Sequence, residues 1–143
     1  MQSYESDVVA WANEQARLIR AGRFDQLDIE HIAEEIEDVG KSEQWELASR
    51  MAVLLAHLLK WEYQPARRGA SWEITIRSHR KEVAYILYES PSLKGKLVEP
   101  RWLEMVWAKA INQANAETGL TNFPDECPWS INDEVLKEAW LPD

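Results

Sequence analysis

The side chains best suited to chemistry are two histidines and a run of carboxylates. His57 sits in the middle of Met51-Ala-Val-Leu-Leu-Ala-His-Leu-Leu-Lys-Trp61, an otherwise almost wholly apolar run. An imidazole among leucines is costly unless its ring nitrogens find partners, and Glu34 or Glu35 is the expected partner. His79 falls on the apolar stripe of a later helix and invites the same argument. If His57, His79, Glu34 and Glu35 converge, they form a divalent-metal or acid–base site. The competing expectation is that both histidines are satisfied core residues.

The carboxylates belong to Glu30-His-Ile-Ala-Glu-Glu-Ile-Glu-Asp38. Helical spacing puts His31, Glu35 and Asp38 on one side of an apolar stripe, and Glu30, Glu34 and Glu37 on the other. Di-metal helical bundles need Glu-x-x-His on two helices, and this chain has none. Asp28-x-x-His31 is the nearest match, with Asp28 better explained as a helix cap. A solvated acidic face is the main expectation, and no cofactor is predicted. A third constellation spans residues 60–81, where Lys60, Arg67, Arg68, Arg77, Arg80 and Lys81 alternate with Trp61, Tyr63 and Trp72. Arginine beside aromatic rings can stack bases and hold phosphates, which is a nucleic-acid reading. The alternative is intramolecular, with Arg77 and Arg80 pairing with the acidic helix. There is no glycine-rich phosphate loop, no Gly-x-Ser-x-Gly elbow and no His-Glu-x-x-His helix.

Charge bears on partners. The chain of 143 residues carries a net −9, which argues against general binding to nucleic acid or an anionic membrane. Residues 1–49 hold 12 acidic and 4 basic side chains, residues 50–101 hold 5 and 10, and residues 102–143 hold 8 and 2. A basic middle therefore lies between acidic ends. The single cysteine, Cys127, excludes an internal disulfide and reads as a small packed hydrophobe. The opening residues have no basic and apolar leader pattern, and the longest apolar run is too short to span a membrane, so a cytoplasmic protein without membrane contact is expected.

The elements that must position these groups are all helical. Periodicity and punctuation predict helices over about 7–21, 29–39, 43–62, 71–89 and 101–117, and a short one over about 131–139. Gly22 and Gly119 close two of them, Gly40 ends or kinks the second, and Pro65 stops the third. A short turn is expected from Ser92 through Val98. The stripe of the second helix is Ile29, Ile32, Ala33, Ile36 and Val39. The third becomes apolar on all sides after Met51, which places it at the centre of a bundle with the second and fourth helices packed on it. The expectation is one all-α domain over residues 1–143, of five or six helices, with a central buried helix at about 43–62. Eight tryptophans are expected mainly as packing between helices.

The order of motifs resembles a bacterial family. Ala33-Glu-Glu-Ile-Glu37, Gly40-Lys-Ser-Glu43, His57-Leu-Leu-Lys-Trp-Glu-Tyr-Gln-Pro65, Ser71-Trp72, Thr75-Ile-Arg77, Ser90-Pro-Ser-Leu93, Thr118-Gly-Leu120 and Phe123-Pro-Asp-Glu-Cys-Pro128 are similar to the domain-of-unknown-function family twenty-nine, common in cyanobacteria and proteobacteria. Tyr4-Glu-Ser-Asp7 and Trp11 fit as well. The resemblance covers nearly the whole chain. It implies an all-helical domain and no particular activity. It also implies a shared site or shared structural core through Glu34, Glu35, His57, Trp61, Pro65, Trp72 and Arg77.

Abundant tryptophan, segregated charge and the lack of a catalytic motif point to a non-catalytic interaction domain. It would bind a protein partner or associate with itself through exposed aromatic surface. A metal-binding or metal-dependent site at His57, His79, Glu34 and Glu35 is the second expectation, and nucleic-acid binding through residues 60–81 the third.

Overall fold

A computed structural model describes residues 3–143. The described residues are all-α, with no strand. Four α-helices run Val8–Arg20 (α1), Ile29–Tyr63 (α2), Ala70–Glu89 (α3) and Pro100–Thr118 (α4). Short 3-10 turns at Phe24–Gln26, Pro65–Arg67 and Pro91–Val98, and a π-helical turn at Ile131–Val135, join and follow them. The chain forms two compact units, one ending at Ser42 and the other running Glu43–Asp143.

The helix ends follow local chemistry. Asp7 caps α1, its carboxylate accepting from the Ala10 backbone N–H at 3.1 Å. Gly22 after α1 and Gly119 after α4 take φ of +74° and +77°, the left-handed turn that a side chain would resist. Pro100 opens α4, where its missing N–H costs nothing.

Two expectations are corrected. The segments 29–39 and 43–62 are one uninterrupted helix of 35 residues, so 29–39 is not a separate helix packed on 43–62. Gly40 does not break it. A glycine inside a helix costs only about 1 kcal/mol, and helix-forming residues continue on both sides. The final helix is also shorter than expected, reduced to the turn Ile131–Val135.

In the first unit, Trp11, Gln15 and Leu18 are the buried residues of α1. The stripe of the 29–39 segment is not core: Ile29, Ile36 and Val39 are 62, 67 and 68 % exposed.

The second unit holds the main core. Leu47, Met51, Leu54, Leu55, Leu58 and Leu59 of α2 are buried, as the all-round apolar pattern predicts. Each such side chain contributes about 1.5–3 kcal/mol relative to exposure. Ile76, Val83, Ile86 and Leu87 of α3, and Val106, Trp107, Ala110 and Ala114 of α4, belong to the same cluster, with Ile131 and Val135. Of the eight tryptophans only Trp45 is exposed, at 71 %; the rest are buried or half-buried, so packing is their main role. No described helix is long and apolar enough to cross a membrane.

Candidate functional site

The sequence candidates fall into two neighbourhoods, one in each unit. Glu34 and Glu35 lie on α2 in the first; His57, Trp61, Trp72, Arg77 and His79 lie in the second.

In the first unit Glu34 is exposed, and half-buried Glu35 accepts from the Tyr4 hydroxyl at 2.5 Å. That bond to a carboxylate, with some burial, pushes the Tyr4 phenol up to about 12, so it remains a donor. Tyr4 stacks on His31, with ring centroids 4.1 Å apart and planes within 14°, and meets Trp11 edge-on at 4.8 Å. Asp28 organises the cluster. Its carboxylate stands 2.7 Å from His31 Nδ1 and accepts from Trp11 Nε1 at 2.9 Å, while its backbone N–H donates to Gln15 Oε1 at 2.8 Å. The hydrogen bond to His31 holds the Asp28 carboxyl below its usual range against the opposing effect of burial. The same bond raises the His31 ring, also against burial. Sequence reasoning noted the Asp28-x-x-His31 spacing and read Asp28 as a cap, which fits its place directly before Ile29 with its carbonyl accepting from the Ile32 N–H at 3.0 Å, but it missed Tyr4 as the stacking partner. The signal was present, since one helical turn places residues three apart on the same face.

In the second unit His57 and His79 find their partners on their own helices. Each Nδ1 donates to the carbonyl one turn back, His57 to Val53 and His79 to Thr75, both at 3.0 Å. Helical side chains lean toward the N-terminus, which brings ring and carbonyl together. Burial pushes the His57 ring below its usual value, the bond to Val53 opposes this, and the Lys60 and His79 charges lower it further. Lys60 lies over the Trp72 ring at 5.5 Å and donates to Glu117 of α4 at 2.5 Å. Glu117 was not foreseen, because it lies 57 residues further along. Glu82 adds a second ionic group, 3.3 Å from Arg50 Nε and 3.9 Å from His79 Nε2. No group of three or more His, Cys, Asp or Glu side chains among the described residues is arranged to hold a metal ion.

The basic segment is partly committed to the fold. Arg68 lies over the Trp61 ring at 5.3 Å and donates to the carbonyls of Trp61 and Asp143. Arg80 does not engage a carboxylate: its Nε donates to the Val135 carbonyl at 2.8 Å and its Nη2 to Trp140 at 2.5 Å. Arg77 makes no ion pair among the described residues.

The family described as "Domain of unknown function DUF29" matches residues 3–141. The chain belongs to this family. No curated protein and no solved structure matches it. The family's description specifies no activity. Within this DUF29 chain, Trp61 and Trp72 serve as platforms for Arg68 and Lys60. Half-buried Cys127 donates weakly to the Trp129 carbonyl, with burial raising its thiol above the usual range.

Proposed function

We propose that the chain is a non-catalytic protein-interaction domain whose docking ridge is the apolar stripe of α2 in the first unit. The observation that carries this is the exposure of Ile29, Ile36 and Val39. With half-buried Ile32 they recur at steps of three, four and three, the spacing with which one helix seats another. Exposed apolar faces of this kind usually mark interaction sites.

The shoulders of the ridge select the partner. Glu30, Glu34, Glu37 and Asp38 flank it, and none makes an ion pair among the described residues. Uncompensated carboxylates beside an apolar seam complement a basic amphipathic helix. A second copy of the same ridge would bring like charges together, so a basic helix from a partner protein is the favoured occupant. The lone Cys127 suits a reducing compartment, and the cytoplasm is the proposed site of action.

Fluorescence anisotropy with a labelled helical peptide, leucine on its seam and lysine on its shoulders, tests the proposal on the full chain. Saturable binding is expected, weakened about tenfold or more by Ile36→Glu with Val39→Glu while the circular dichroism stays unchanged. The absence of saturable binding at low salt overturns the proposal. A dimer seen by light scattering and abolished by the same double variant overturns the choice of partner, in favour of self-association.

A further inference from the structure

The second unit carries a recess of about 590 Å³ between α3 and the chain that follows Ile131. Two adjacent rows of α3 form its floor. Glu73, Arg77 and Lys81 succeed one another at steps of four, and beside them run Ile76, Arg80 and Ala84. Leu136, Ala139 and Leu141 supply the facing wall. The volume falls in the range of small-molecule sites, and the lining combines apolar walls with a few convergent charges.

Arg80 makes the wall. Its two bonds to the carbonyls of Val135 and Trp140 tie the C-terminal segment to α3 and leave Arg77 and Lys81 as the cations open to a ligand. Neither Arg77 nor Lys81 makes an ion pair among the described residues, although two carboxylates, Glu73 on α3 and Glu138 on the facing segment, line the same recess. With Arg80 committed to the wall, the ligand's head must be held at the Arg77 and Lys81 side, away from Glu138. The bridged segment includes Ala139, the only described non-glycine residue with positive φ, at +66°. A backbone held in this costly region beside a recess fits a wall that is shaped rather than merely left over.

We infer that this recess binds a small amphipathic carboxylate, its head held between Arg77 and Lys81 and its aliphatic chain against the apolar wall. The cations supply charge-assisted hydrogen bonds, Arg77 with a fork that fits a carboxylate. Leu136 and Leu141 supply the apolar contact. Arg80 is a positioning residue, acting through the wall it holds. The site shares no residue with the α2 ridge.

Calorimetric titration of the full chain with decanoate, with decanol as the uncharged control, tests the inference. One-to-one binding of decanoate is expected. Arg77→Ala with Lys81→Ala, both exposed and so little threat to folding, weakens it about tenfold or more. Ala84→Trp, which fills the floor from an exposed position, also weakens it, and decanol binds at least about tenfold more weakly than decanoate. Absent or non-saturable decanoate binding overturns the inference, as does decanol binding equally well, or a double variant with unchanged affinity. A peptide of glutamates that binds where decanoate does not also overturns it, assigning the recess to acidic protein segments.

Discussion

Lys60 of α2 and Glu117 of α4 form a salt bridge at 2.5 Å whose cation is 7 % exposed while its carboxylate is much more open. The lysine stem runs through the core, and its ammonium emerges only far enough to meet Glu117 and the Trp72 ring. Burial acts to raise the Glu117 carboxyl, but the Lys60 ammonium prevails and holds it below its usual range.

Glu117→Ala therefore leaves an ammonium at the core edge without its counter-charge. Breaking a fully buried pair costs about 3–5 kcal/mol, and solvent screening at the exposed carboxylate reduces this to about 1–2 kcal/mol. Lys60→Met, similar in shape and apolar, is expected to cost less than Glu117→Ala. Urea unfolding of both variants checks the order, and the reverse order would deny that the buried charge is the source of the loss.

The two perturbed histidines are expected to titrate on opposite sides of the ordinary value of 6.5. His31 is raised, so its contribution is fully present below 6.5 and is lost as pH rises through the higher folded value. Asp28 is lowered, so the same pair is lost at the acid end, as pH falls through the folded Asp28 value below 3.8. His57 is lowered, so below 6.5 the unfolded chain takes up a proton that the folded ring resists, and stability falls with pH until the folded value is reached. Proton NMR titration should place the His31 midpoint above that of His57. His31→Gln should remove the alkaline loss in the first unit, and His57→Gln the acid loss in the second.

Arg80→Lys is expected to destabilise the C-terminal segment by about 1–3 kcal/mol, because a single ammonium does not reproduce a fork reaching two carbonyls. The near-ultraviolet signal of Trp129 and Trp140, whose rings meet edge-on at 5.8 Å, should weaken before the helical signal does. Simultaneous loss of both signals would show that Arg80 supports the whole unit.

Ala139→Gly should stabilise the chain by about 0.5–1 kcal/mol, since glycine adopts positive φ without the steric penalty an alanine meets there. A lower denaturation midpoint would mean that the turn is unstrained.

Much of this arrangement was legible where a local rule decided the outcome. The bounds of α1, α3 and α4 follow from Asp7, Gly22, Ser90 and Gly119, and the burial of the second half of α2 follows from its all-round apolar pattern. Gly40 misled because its helix penalty is small beside the hydrogen bonds gained by continuing the helix. The stripe Ile29–Val39 misled because periodicity reports an apolar face and not what covers it. His57 was correctly marked as needing a partner, but the nearest acceptor is its own helix's carbonyl, which no pattern of side-chain types reveals. Glu117 and the wall bridged by Arg80 depend on contacts 55 or more residues apart, beyond the reach of spacing arguments.

The exposure of Trp45 has an optical consequence. Seven indoles sit in or against packed surroundings, while the eighth stands in water with Lys109 about 5.8 Å from its ring. Aqueous quenchers will reach that ring first, so the red edge of the emission belongs chiefly to one known position. Replacing Trp45 with phenylalanine would leave fluorescence dominated by the interior, so that a shift in colour on adding denaturant reports core hydration and little else.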